Sequence, residues 1–144
     1  MKPTVRAFIQ AHMSSRRFPG KVLAPFGKEP LIRHVIRAVE QALPHPLVVT
    51  SVEPSDDPLV AYLDRLGIET FRGPRADVLE RFRGAARRYH PAFVLRVRAD
   101  CPLLSPGVLR ALLAHAGRPG IDLVTTCTPA TFPLGQNAEL IRTH

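Results

Sequence analysis

The sequence predicts an α/β domain in which a parallel sheet carries helices on both faces. Three observations lead there. Short β-rich runs alternate with amphipathic helical stretches from one end of the chain to the other, and the connections between them are short. The 144 residues suffice for one domain with a true core. The composition, 45% hydrophobic and 22% charged, is that of a folded globular protein.

The elements follow in order. Thr4–Gln10 reads as a strand, with Val5, Ala7 and Ile9 alternating against Arg6 and Phe8. A polar loop punctuated by Gly and Pro covers residues 11–27. Glu29–Leu43 reads as a helix, because Leu31, Ile32, Val35, Ile36, Val39 and Leu43 share one face and Pro30 suits a first turn. Leu47–Val52 is a strand. Asp56–Leu66 is a helix capped by Asp56, with Pro58 early and Gly67 just past its end. Ile68–Arg72 is a short strand. Asp77–Tyr89 is a helix opened by Asp77 and Glu80 at capping-box spacing. Ala92–Val97 is a strand. Ser105–Ala116 is a helix with Ser105 as cap, Pro106 at its first position and Gly117 as stop. Ile121–Cys127 and Ala138–Arg142 complete the strands. In open sheets of this kind ligands bind beyond the carboxyl ends of the strands, which selects the loops 11–27, 51–57, 72–77 and 98–105.

Charge narrows the partners. Twenty Lys+Arg against twelve Asp+Glu give +8, a balance that favours anions. Aromatic residues make up only 6%, Trp is absent, and no nucleic-acid motif occurs, so nucleic acid is not expected as a partner. No apolar run is long enough for a membrane span, and the first residues lack a signal peptide's apolar stretch. A cytoplasmic protein is expected. Two cysteines exclude a disulfide scaffold and a four-cysteine zinc site.

Three motifs carry chemistry. The first loop, from Ala11 to Lys21, holds Arg16, Arg17, Gly20 and Lys21, and no acid precedes Glu29. A basic, glycine-containing loop at a strand's carboxyl end can wrap a polyphosphate with cations and backbone N–H groups; it can equally be a solvated turn. It is not a Walker A loop, since Ser15 stands at that motif's first glycine and Val22 follows the lysine. The second motif, Arg96 to Leu103, sets Asp100 just past a strand, where a hard oxygen ligand suits Mg²⁺ beside substrate phosphates; the alternative is a carboxylate paired with an arginine. The third, Phe71 to Leu79, is a strand-to-helix junction with Arg72 and Arg75, in which Asp77 reads as a helix cap. Arg81, Arg83, Arg87 and Arg88 read as the solvated face of the helix that follows.

These motifs carry a resemblance. Ile9-Gln10-Ala11 with Ser15, Arg17 and Pro19-Gly20-Lys21-Val22-Leu23, then Phe71-Arg72-Gly73, Asp77-Val78-Leu79 with Arg81, and Asp100-Cys101-Pro102-Leu103 resemble, in order and in register, the SpsF-type cytidylyltransferases, relatives of the CMP-sugar synthetases. The resemblance implies a nucleotide-diphospho-sugar transferase fold, Rossmann-like, three-layer α/β/α with a mostly parallel sheet. It implies transfer of CMP from CTP to a sugar acceptor in surface polysaccharide synthesis, with release of pyrophosphate and with Mg²⁺ as cofactor. Gln10, Ala11, Ser15, Arg17, Gly20, Lys21, Arg72 and Asp77 would bind the nucleotide, Arg17 and Lys21 would also serve catalysis, and Asp100 would ligate the metal.

The chain departs from the family pattern at His12 (an arginine there), at Ser14 and Ala99 (glycines) and at Asn137 (an aspartate). The resemblance further implies strands and helices beyond residue 144, which would complete the acceptor site and a homodimer and supply a second acidic residue near the metal. A non-catalytic nucleotide-binding homologue or partner subunit on the same fold is the alternative expectation.

Overall fold

The computed structural model describes residues 2–144. Its strands are β1 (Val5–Gln10), β2 (Pro25–Phe26), β3 (Glu29–Pro30), β4 (Leu47–Ser51), β5 (Glu69–Gly73), β6 (Phe93–Arg98), β7 (Leu123–Thr125) and β8 (Ala138–Arg142). Its α-helices are α1 (Leu31–Glu40), α2 (Asp57–Arg65), α3 (Val78–Tyr89) and α4 (Pro106–Leu113). Six strands form one sheet in the order β5-β4-β1-β6-β8-β7. The first four in that order run parallel, while β8 is antiparallel to both β6 and β7.

Strand alternation sets the two faces. On β1, Ala7 and Ile9 join the larger core with Val35, Ile36, Leu63 and Leu109, from α1, α2 and α4. Phe8 points the other way, into a smaller cluster with Leu47, Val49 and Ala85, where Phe82 of α3 packs. One helix thus covers the face opposite the other three. The apolar stripe expected for α1 is buried at Ile32, Val35, Ile36 and Val39.

The structure corrects the expected elements in several places. Ser105, expected as the cap of α4, makes no side-chain cap hydrogen bond. The helix expected from Glu29 begins at Leu31, because Glu29 and Pro30 pair antiparallel with Phe26 and Pro25. Pro30 is extended (ψ 146°), so its ring opens the helix from outside instead of occupying the first turn. The strand expected at Ile121–Cys127 shortens to Leu123–Thr125 and lies at the edge of the sheet, with β8 between it and β6. Asp56 precedes α2 but makes no cap hydrogen bond; its carboxylate turns inward. By contrast, Asp77 caps α3 as expected, accepting from the Glu80 N–H at 2.8 Å.

The chain runs outward from β1 to β4 and β5, then returns across the sheet to β6 on the other side of β1. The order therefore reverses between β1 and β6, whose last residues, Gln10 and Arg98, are register partners. A crevice opens beyond the carboxyl ends at such a reversal. Behind it, α3 packs close on β5: a Cβ placed on Gly73 would lie 3.0 Å from Cγ and 3.2 Å from Cα of Arg81. Gly73→Ala is expected to push α3 outward and cost about 1–3 kcal/mol, read as a lowered denaturant midpoint with an unchanged slope. An unaltered midpoint would show that the helix yields without loss.

Candidate functional site

The crevice between β1 and β6 is floored by Gln10 and Arg98 and walled by the loops that follow each strand. Lys21 comes from the first loop, and Asp100 lies just past β6. Their side chains meet directly: Lys21 Nζ donates to Asp100 Oδ2 at 2.6 Å. Arg98 Nη2 donates to the same oxygen at 2.8 Å. Burial pushes the Asp100 carboxyl up, but the hydrogen bond from Lys21 and the charges of Arg98 and Lys21 outweigh it and hold it below the ordinary range. A cation-rich loop and a carboxylate 79 residues apart thus converge on one point, from two separate crossover units.

Two cavities adjoin there. The smaller, about 170 Å³, is lined by Gln10, Ala11, Lys21, Arg96, Arg98 and Asp100, among others. The larger, about 360 Å³, shares Gln10, His12, Lys21 and Arg98, and extends under Ser15, Arg16 and Arg17 to Arg75 and Arg81. Its lining includes six cations and no acid. Below the floor, Arg96 is held by Gln10 Oε1 (2.8 Å) and Glu139 (2.6 Å). Its charge is used in holding Gln10 in the floor and Glu139 of β8 beside β6.

The first loop is held in shape from outside itself. Gly20 takes a left-handed turn (φ 73°) that a side chain would strain, and its N–H donates to the Met13 carbonyl at 2.7 Å. The Met13 N–H in turn donates to Asp56 Oδ1 at 2.7 Å. The other carboxylate oxygen of Asp56 accepts from Thr50 Oγ1 (3.0 Å), from the Ser51 N–H (3.1 Å) and from the Ser51 hydroxyl. Asp56 is 1% exposed. Burial works against its charge, and the four donors, Ser51 first, overcome that and lower its pKa. Asp56 is therefore the tie between the end of β4 and the basic loop. Its position one residue before a helix gives the same sequence signal as a cap, so pattern alone does not reveal it.

Most of the expected site residues gather in the crevice. Gln10, Ala11, Ser15, Arg17, Lys21 and Asp100 all line one cavity or both, and Gly20 shapes the loop between them. Arg72 and Asp77 line neither. Arg72 donates to the carbonyls of Ser51 (2.8 Å) and Glu53 (2.9 Å) and to Asp57 (2.7 Å), bracing the loop at 51–57. Asp77 caps α3 and is exposed. His12 is half-buried, and burial keeps its pKa low against the pull of Asp56, with Arg81, Lys21 and Arg75 adding to the lowering. It is neutral near pH 7 and adds no fixed charge to the crevice.

Arg81 corrects the expected solvated face of α3. Arg83 and Arg87 do lie out, with side chains 62% and 60% exposed, but Arg81 is only 2% exposed. Val78, Arg81 and Ala85 fall on one stripe at helical spacing, and that stripe faces the sheet. The spacing to Ala85 was the available signal.

Comparison with known proteins gives this geometry its family. The family model described as cytidylyltransferase matches residues 7–132. The chain belongs to the cytidylyltransferase family. This member is 32% identical over 142 residues to the spore coat polysaccharide biosynthesis protein SpsF of Bacillus subtilis, covering 94% of this chain and 58% of that one. It is 32% identical over 128 residues to a 3-deoxy-manno-octulosonate cytidylyltransferase of Anaeromyxobacter dehalogenans, covering 87% and 52%. The solved structure of a cytidylyltransferase from Leptospira borgpetersenii superposes with a TM-score of 0.92 at 28% identity, covering 98% of this chain and 61% of that one. The chain thus spans half to three-fifths of the length of these relatives. None of the helices among the described residues is long and apolar enough to cross a membrane.

Proposed function

We propose that this chain binds the triphosphate of CTP in the β1/β6 crevice and transfers CMP to an oxygen of a sugar acceptor, with pyrophosphate leaving, in the making of a surface polysaccharide. The observation that carries the reading is the 2.6 Å contact of Lys21 with Asp100, where Lys21 also lines a cavity whose lining includes six cations. Such transfer asks a protein mainly for positioning and charge. A sugar hydroxyl oxygen attacks the α-phosphorus and releases its proton to water, the bond to the bridging oxygen of pyrophosphate breaks, and negative charge grows on the leaving group. Lys21 and Arg17 offset that charge. Gly20 lets the backbone come close, and the Gln10–Ala11 edge borders the nucleotide. Arg72 and Asp77 contribute by shaping the loops beside it. The family name and the names of both relatives support the donor and the acceptor class.

Asp100 is suited to a divalent cation that arrives with the nucleotide. Among the described residues no group of three His, Cys, Asp or Glu is gathered for a metal, so a resident ion lacks a full ligand set. One carboxylate plus phosphate oxygens and water suits Mg²⁺, and among the described residues Oδ1 of Asp100 accepts a hydrogen bond from the Cys101 thiol alone, at 3.9 Å. When bound, the ion would neutralise charge on the phosphates. Lys21 and Arg98 would then be released from Oδ2 toward the substrates. We assign the work to the cytoplasm, where nucleoside triphosphates are available, and to a homodimer, checked by mass in solution.

The test is pyrophosphate release from CTP with Mg²⁺ and a panel of acidic and amino sugars. Release that depends on both CTP and one class of sugar is expected, with Lys21→Met lowering it about 10²–10³-fold. Bound CTP with no release over any acceptor would favour a binding module instead. That second reading has one observation behind it: Asp100 is the sole carboxylate lining the two cavities.

A further inference from the structure

Arg81 is a buried cation without a partner. It is 2% exposed, its Nε finds no hydrogen-bond acceptor, and it enters no ion pair among the described residues. Its aliphatic stem packs against Gly73, and its side chain lines the larger cavity beside Arg75, Arg17 and Lys21. The carboxylate whose charge acts on it, Asp56, is engaged with Met13, Thr50 and Ser51. An arginine cannot shed its proton in a protein, and a buried charge left unpaired is costly. Neutral carbonyls would satisfy the donors but not the charge. A group held in this condition at a cavity wall is prepared for an incoming anion.

We propose that Arg81 is a substrate-binding residue of this site, whose guanidinium receives an anionic phosphate oxygen at the inner wall of the larger cavity. The assignment rests on the reading of the site as a polyphosphate crevice. It adds a contact from α3 to those of the first loop, so that the phosphates are gripped from two elements. Arg17, on the exposed rim, gives an adjustable contact. Arg81, fixed by its packing, gives one whose position is set before the ligand arrives, which concentrates its effect on affinity and orientation.

The test uses calorimetric titration of the whole chain and of Arg81→Met with three probes: CTP, inorganic tripolyphosphate and cytidine. The methionine variant should bind CTP and tripolyphosphate about ten- to a hundredfold more weakly and leave cytidine unchanged. Its Tm should stay the same or rise, because an unpaired buried charge has been removed. Arg81→Lys, which keeps the charge, should retain part of the tripolyphosphate affinity. Unchanged affinity for CTP and tripolyphosphate in Arg81→Met overturns the assignment while the CTP reading stands. An equal loss for CTP and cytidine with tripolyphosphate unaffected makes Arg81 a reader of the nucleoside and overturns it too. A marked fall in Tm in both variants, with the folded fraction binding normally, shows a structural tie to Asp56 and overturns it likewise. Arg81-dependent binding of tripolyphosphate with no binding of CTP keeps the assignment and removes the CTP reading. No binding of either phosphate compound by the parent removes both.

Discussion

Replacing Asp100 with alanine should lower CTP-dependent pyrophosphate release by about 10³-fold or more while leaving the fold intact. The two expectations come from the same geometry. Asp100 is the carboxylate at the meeting of the two crossover units, so removing it takes away the ligand for a cation travelling with the triphosphate. Its partners, however, reach water: the Lys21 and Arg98 side chains are 21% and 52% exposed. Freed from Asp100 they are solvated without stranding a charge, so the stability change should stay within about 1 kcal/mol. CTP binding without metal should persist, since Lys21 is then unengaged. The measurement pairs the activity assay with a melting curve on the same sample. Full activity in Asp100→Ala would sink the metal role; loss of activity together with loss of fold would show that the ion pair is structural.

Asp56→Ala should be the most destabilising single change in the site. Four donors point at this carboxylate, and all four would lose their acceptor at a position that is 1% exposed. Breaking such a buried, hydrogen-bonded charge costs about 3–5 kcal/mol, or a fall in Tm on the order of 10 °C for a chain of this size. Asp56→Asn keeps one acceptor oxygen and should lose less. The pH dependence has a definite sign. Asp56 titrates lower in the folded protein than in the unfolded chain, where an aspartate titrates near about 3.9. Its contribution is therefore complete above that value and drains away as the pH falls below it toward the lower native value. Acid unfolding of Asp56→Asn should lack this share of the slope. Equal acid sensitivity in the variant and the parent would assign the slope to other carboxylates, such as Asp100 and Glu69, which are also held low.

The two substitutions separate two roles that look alike along the chain. Asp100 and Asp56 both follow a strand and precede a helix, and each is a carboxylate at the ligand side of the sheet. One faces the cavity beside Lys21. The other turns its back on it and holds the Met13 N–H, hence the loop that carries Lys21. Activity should be lost in both variants, with stability lost only in Asp56→Ala.

Periodicity and spacing were enough for several features. The alternation of β1, the buried stripe of α1, the Asp77 cap and the glycine turns are local: each follows from backbone sterics and from which side chains avoid water within a dozen residues. The loops that meet at the crevice were legible too, because a parallel α/β arrangement opens its crevice at the carboxyl ends of the strands. Other features depend on partners far away in the chain. Whether β7 or β8 lies against β6, whether Asp56 caps α2 or anchors Met13, and whether Arg81 meets water or the back of Gly73 are settled by contacts between elements. A residue's own neighbours fix the face it lies on; only the assembled layers fix what lies opposite that face, and with it whether a charge there is solvated, paired, or kept in waiting for a ligand.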